Sequence, residues 1–151
     1  MYRKKINIFH IITSLEHGGA QLIATKIILD ENKYFNHTVF VLINRGPYKE
    51  ILKNKGIKVY SSNSSNFLFI LFKVFKCYVQ NRPDIVQTWM YHADFVGLIL
   101  TTFFKKHKLI WSLHHSCPKE NKFLTRVVLT VCRFFSNSAP VHIVACSSIS
   151  S

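Results

Sequence analysis

Acidic residues are scarce in this 151-residue chain: 7 Asp and Glu stand against 20 Lys and Arg, leaving a formal charge of +13. A surplus of that size favours anionic partners, namely a membrane surface, a nucleotide or phosphorylated substrate, or nucleic acid. Glycine is sparse as well, and G-x-G-x-x-G, the dinucleotide fingerprint, is absent. The four cysteines, Cys77, Cys117, Cys132 and Cys146, form no C-x-x-C pair and sit mostly in apolar runs. They read as reduced core or near-surface thiols of a cytosolic protein. Long apolar runs are missing too. FLFILFKVFKCYV from Phe67 is broken by lysines and FVGLILTTFF from Phe95 is short, so neither is expected to span a bilayer. Arg3-Lys4-Lys5 passes straight into a strand, and no secretory signal is expected. No D-x-D pair is present to hold Mg²⁺, and no Ser-His-Asp order with a nucleophile elbow points to a hydrolase.

What the chain does have is apolar substance: 48% hydrophobic and 14% aromatic residues exclude a disordered polymer. Its length suits one domain with a real core. The most informative stretch is INIFHIITSLEHGGAQ, from Ile6 to Gln21. Ile6, Ile8, Phe9, Ile11 and Ile12 form the run expected of a strand buried on both faces. Gly18-Gly19 follows, and AQLIATKIILDE begins at once with helical spacing. Such a turn leaves backbone N–H groups free for a phosphate or carboxylate, or else the glycines only make a tight βα turn. The second strand ends in Asn44-Arg45 where a ribose-binding acid would stand, which argues against a nicotinamide cofactor. Arg45 could meet a 2′-phosphate, although a solvated loop arginine is the simpler reading.

Strand and helix alternate along the rest. Strands are expected at Ile6–Thr13, Thr38–Ile43, Lys58–Tyr60, Ile85–Thr88, Leu109–Leu113 and Val141–Cys146. Helices are expected at Ala20–Asp30, Tyr48–Asn54, Phe67–Asn81, Ala93–Phe104 and Phe123–Phe135, with Gly56 and Arg82-Pro83 as stops. SSNSSN from Ser61 is a loop that can cap the helix after it. The pattern specifies an α/β fold: a doubly wound, Rossmann-like parallel sheet with helices on both faces, in the order 3-2-1-4-5-6. The Phe67–Asn81 helix carries one polar stripe of Lys73, Lys76 and Gln80. It is either sandwiched in the protein, the commoner outcome, or it rests an exposed apolar side on lipid with its lysines at the headgroups.

Five pieces in order now carry a resemblance: HIITSLEHGGAQ, GPYKEILKNKGIKV, PDIVQTWMYHADFVG, IWSLHH and HIVACS. They resemble the first domain of GT-B-fold glycosyltransferases of the retaining family-4 kind, over nearly the whole chain. The resemblance implies that residues 1–151 form an acceptor-side Rossmann-like domain, incomplete at its C-terminal end and inactive alone. The domain that binds most of the nucleotide-sugar is absent, so a missing C-terminal domain or a partner chain would complete it. The donor is then a nucleotide-sugar, itself a substrate, and the acceptor a surface-glycan or lipid-linked glycan. No cofactor and no divalent metal are needed.

Ligands of a doubly wound sheet bind beyond the carboxyl ends of its strands. Gly18, Gly19, His92, His114, His115 and Ser147 fall at such ends. Gly18 and Gly19 could hold a diphosphate or an acceptor phosphate through backbone N–H groups. By resemblance His114 lies beside the transferred sugar and is the catalytic candidate, or His115 if the register differs by one. A neutral imidazole can orient hydroxyls there without a fixed charge. His92 and Ser147 are substrate-binding candidates, and Asp94 is explained by the helix dipole alone. A metal site from His114, His115 and Cys117 is disfavoured, because adjacent residues leaving a strand point apart and a fourth ligand is lacking. The lysines are spread and no nucleic-acid motif occurs, so no nucleic-acid partner is expected. The expected place is the cytoplasm, with peripheral attachment to the anionic inner membrane face. The competing reading is a non-catalytic binding module or one subunit of a split transferase.

Overall fold

The structure, a computed structural model, describes residues 5–113, 123–136 and 142–145. Strands β1 (Ile6–Ile12), β2 (Phe35–Val41), β3 (Lys58–Ser61), β4 (Ile85–Trp89), β5 (Lys108–Leu113) and β6 (His142–Ala145) alternate with helices α1 (Gly19–Glu31), α2 (Tyr48–Asn54), α3 (Phe67–Asn81), α4 (Tyr91–Phe103) and α5 (Phe123–Phe135). The sheet runs β3-β2-β1-β4-β5-β6, every neighbouring pair parallel. This is the doubly wound order expected from the alternation. The chain steps outward from β1 to β3, then returns to the other side of β1. That return leaves the loops after β1 and β4 diverging at the carboxyl edge.

Period-two alternation divides the core. Phe9 and Ile11 of β1 join Phe40, Val86, Leu109 and Trp111 against Val74, Cys77 and Tyr78 of α3, Val96 and Leu100 of α4, and Cys132 of α5. Ile12 joins Val39, Val41 and Trp89 against Ala24 and Ile28 of α1 and Leu52 of α2. Cys77 and Cys132 are free and buried. Burial pushes both thiols up to about 12, so they behave as small core hydrophobes. Cys117 and Cys146 lie outside the described residues.

Two element starts differ from expectation by more than one residue. β2 begins at Phe35, three residues before the apolar run, because its polar residues find partners across the strand pair. Asn36 Nδ2 donates to Asn7 Oδ1 at 3.0 Å, and His37 meets His10. α4 begins at Tyr91, directly after β4, because Met90 turns the chain within one residue. The cap of α3 comes from the polar loop as expected: Asn66 Oδ1 accepts from the Leu68 and Phe69 amides at 3.0 and 3.4 Å. Arg82 closes the helix in the left-handed region, at φ 43°.

α3 is not sandwiched, which corrects the commoner expectation. One face packs through Val74, Cys77 and Tyr78; the other leaves Leu68 74%, Phe72 63% and Val79 55% exposed beside Lys73 and Lys76. α3 lies over β1 and β2 with α4 beside it, and only one of its faces reaches the core. Among the described residues no helix is long and apolar enough to cross a membrane.

The loop after β1 is strapped to the loop after β2. The Leu42 amide donates to the Ile12 carbonyl at 2.9 Å and the Ile43 amide to the Thr13 carbonyl at 2.8 Å. The Leu15 amide donates to Arg45, and the Leu15 carbonyl accepts from Tyr48. Gly46 makes this possible: its φ is +104°, and a Cβ there would stand 1.9 Å from the Leu15 carbonyl oxygen. Gly46→Ala should therefore destabilise the protein by about 2–4 kcal/mol in urea denaturation. A loss below about 0.5 kcal/mol would mean that the strap contributes nothing to folding.

Candidate functional site

The first and fourth strands end side by side, and the residues that follow them line one crevice. Thr13 extends β1, Gly18 caps α1, and Met90 links β4 to α4. Gln21, in the first turn of α1, brings its Nε2 to 3.9 Å from Met90 Sδ, so the glycine loop stands next to the start of α4. No side chain caps the N-terminus of α1. Its opening amides therefore keep their donors for another acceptor.

The backbone does not require either glycine of that turn. Gly18 has φ −178°, extended backbone that any residue adopts. A Cβ on Gly18 would meet only the flexible tip of Gln21, and one on Gly19 would meet nothing within 4 Å. A tight turn alone does not account for the pair. Their effect is to keep a bare backbone in open space at the mouth of the crevice, where a ligand can approach closely.

Beneath this mouth, on the α3–α4–α5 side, lies an apolar cavity of about 490 Å³. Thr13, Leu42 and Ile43 form its strand side, and Phe67, Phe95 and Val127 are among its helical walls. The Phe67 and Phe95 rings stack at 6.1 Å. His92 lines it as well. The Thr13 hydroxyl is shielded from solvent and makes no hydrogen bond among the described residues. Met90 sits at φ 73°, ψ 152°, backbone territory that a side chain enters at a cost of about 1–3 kcal/mol. Strain of this kind, placed at the switch point of the sheet, marks a position fixed by its surroundings.

Two buried polar groups support the crevice from below. Thr88 Oγ1 donates to Asp94 Oδ1, and burial pushes the Asp94 carboxyl up to about 7 against the pull of that hydrogen bond. Asp94 is thus a core group that ties α4 to β4, and not merely a dipole partner at the helix start. On the α1 side Trp89 Nε1 donates to His10 Nδ1 at 3.2 Å. His10 must then carry its proton on Nε2, which donates to His37 Nδ1 at 2.9 Å. Burial, reinforced by His37, holds His10 down at about 3, and burial lowers His37 too. Both rings stay neutral at physiological pH.

Of the residues predicted from sequence, the structure brings Gly18, Gly19 and His92 to one edge. His114, His115 and Ser147 lie outside the described residues. Among the described residues no cluster of three metal-ligating side chains occurs. Sequence reasoning missed Thr13, Met90 and the His10–His37–Trp89 chain. The polar His10 and His37 inside otherwise apolar strands were the available signal for the last.

No protein-family model matches the sequence, and no curated protein does. Solved structures match the fold. Anabaena Alr3699/HepE, in complex with UDP and glucose, matches with a TM-score of 0.70 at 21% identity, over 91% of this chain and 37% of that one. A glycosyltransferase from Rickettsia africae ESF-5 matches at 0.62 and 14% identity, over 95% of this chain and 43% of that one. dTDP-glucose 4,6-dehydratase from Bacillus anthracis str. Ames, in complex with NAD, matches at 0.61 and 11% identity, over 95% of this chain and 55% of that one. The chain thus carries the Rossmann-like fold found in glycosyltransferase structures, and it spans under two thirds of each neighbour's length.

The buried Asp94 gives the site a pH signature. Folded Asp94 keeps its proton up to about 7, whereas its ordinary value is 3.8. Between those values the folded state binds the extra proton, so this group's contribution is full below 3.8 and is lost as pH rises through 7. Asp94→Asn, which cannot titrate, should gain on the parent by about 1.4 kcal/mol per pH unit between pH 4.5 and 6.5. Paired urea titrations across that range check it; parallel curves would show that Asp94 is ionised in the fold.

Proposed function

We propose that the chain is the acceptor-side domain of a retaining glycosyltransferase, moving a sugar from a nucleotide-sugar to a surface-glycan or lipid-linked acceptor. The observation that carries this reading is the Gly18-Gly19 turn: uncapped, open and at the β1/β4 switch point, with glycines the backbone does not require. Transfer breaks the bond from the anomeric carbon to the nucleoside diphosphate and forms one to the acceptor oxygen. The acceptor's proton ends on the departing phosphate. Such a reaction needs donors for the growing phosphate charge and groups that orient two sugars. The α1 amides suit the first need, and His114, by the family resemblance, the second. The HepE complexes with UDP and glucose support a nucleotide-sugar for this fold. The NAD-bound dehydratase shares the fold too, but this chain lacks both the G-x-G-x-x-G turn and an acid after β2.

Sugar transfer by the chain alone, and by the chain joined to a nucleotide-sugar-binding second domain, tests this. These 151 residues by themselves should be inactive, since transfer needs a closed cleft and they span 37% of the length of HepE. In the completed enzyme His114→Ala should lower kcat by about 10²–10³ with little change in donor binding. Gly19→Ala should keep or slightly raise stability, by up to about 1 kcal/mol, yet weaken the enzyme. Transfer by the chain alone, or full activity in both variants, would defeat the proposal.

The exposed face of α3 supports attachment to an anionic membrane: Leu68, Phe72 and Val79 enter the acyl boundary while Lys73 and Lys76 stay at the headgroups. Cosedimentation with phosphatidylglycerol vesicles should fall steeply from 0.1 to 1 M salt, as the screening length shrinks from about 10 to 3 Å. Leu68→Glu with Phe72→Glu should abolish it. Equal binding to neutral and anionic vesicles at every salt concentration would exclude this surface.

A further inference from the structure

The apolar cavity does not end blindly. A second cavity of about 600 Å³ shares Leu42, Ile43, Phe67 and Ile70 with it, and its other walls are Asn44, Arg45 and the polar loop of Ser62, Asn63, Ser64 and Ser65. One wall of four apolar residues therefore separates, and joins, a hydrocarbon-lined chamber and a chamber rimmed by amides, hydroxyls and a guanidinium. We infer that the pair binds one single-tailed amphiphile, a lipid phosphate, with its chain in the α3–α4–α5 chamber and its phosphate beside Arg45. Naming this lipid as the sugar acceptor rests on the glycosyltransferase reading; its binding does not.

Three observations favour this occupant. The inner chamber lies within the roughly 300–1,000 Å³ of small-ligand sites, and all its lining residues but Thr13 and His92 are apolar. Arg45 is exposed and pairs with no carboxylate among the described residues, and the chain's +13 charge attracts an anionic head. Phe67, shared by both chambers, opens α3, whose first two turns bear the exposed Leu68 and Phe72. A lipid leaving a bilayer beneath α3 would reach the chamber across Phe67 without crossing a polar surface.

Titration calorimetry of the full chain with hexyl, octyl and decyl phosphate below their micellar concentrations tests the inference. Affinity should rise about fourfold per added methylene until the chamber is full. Val127→Trp, which fills the chamber, should weaken decyl phosphate at least tenfold. Phe67→Ala, which enlarges its mouth, should extend the rise to longer chains and remains informative if Val127→Trp fails to fold. Arg45→Ala should weaken decyl phosphate about tenfold and leave decanol unchanged. Equal binding of decanol and decyl phosphate, affinity indifferent to Val127→Trp, or no binding at all would overturn the inference. So would a dimer in sedimentation that Val127→Trp abolishes, since it would give the chamber to a second copy. Sugar transfer by the completed enzyme without alkyl phosphate binding would sink this inference and spare the transferase reading. Alkyl phosphate binding without any sugar transfer would do the reverse.

Discussion

β1 is hydrogen-bonded on both sides by strands from different parts of the chain, β2 and β4, both parallel to it. Parallel neighbours cannot be joined by short turns, so each pairing obliges the chain to cross over through a helix. The crossovers from β1 run one way and those from β4 the other, and the sheet gains two covered faces. The crevice, the apolar chamber and the uncapped start of α1 all follow from where the two directions part. A strand in that position must also be apolar on both faces, and the buried half of β1 has one exception. His10 is tolerated because Trp89 and His37 use both its ring nitrogens, so a neutral imidazole costs little in the core.

Much of this was legible in the sequence. α2, α3 and α5 fall on the expected residues because each is bounded by local chemistry: Gly56 after α2, Asn66 and Arg82 around α3. The order of the strands was expected from the alternation together with right-handed crossovers. Errors arose where a residue's partner is distant in the chain. Asn36 and His37 look like loop residues until Asn7 and His10 are placed beside them. α3 looks buried from its composition, and only its placement over β1 and β2 shows that its outer half has nothing to meet. The candidate site was legible as an edge of the sheet and not as a shape. The chamber between α3, α4 and α5 depends on three helices converging, and Met90's backbone strain depends on α4 starting one residue after β4. Neither leaves a local mark.

The two sides of the carboxyl edge differ in chemistry. Toward α1 stand bare amides and the glycine turn; toward α3 stand aromatic rings and an exposed apolar helix face. A contiguous patch of that kind on a soluble surface usually records a partner. Its lysines make it compatible with an anionic interface, and α3 also contributes Phe67 and Ile70 to the chamber wall.

The strap at Leu15 also sets how much of the glycine loop must be ordered when a ligand arrives. Both backbone groups of Leu15 are already engaged, by Arg45 and Tyr48. Everything up to Leu15 is therefore held before binding. Only Glu16, His17 and Gly18 remain between that anchor and α1, and all three are exposed. Fixing a residue's backbone costs roughly 1–2 kcal/mol of entropy, so a loop free along its whole length would spend much of any binding energy on its own immobilisation. Here that cost is confined to three residues, and α2, tied to the same anchor, is drawn along by any movement the ligand does impose.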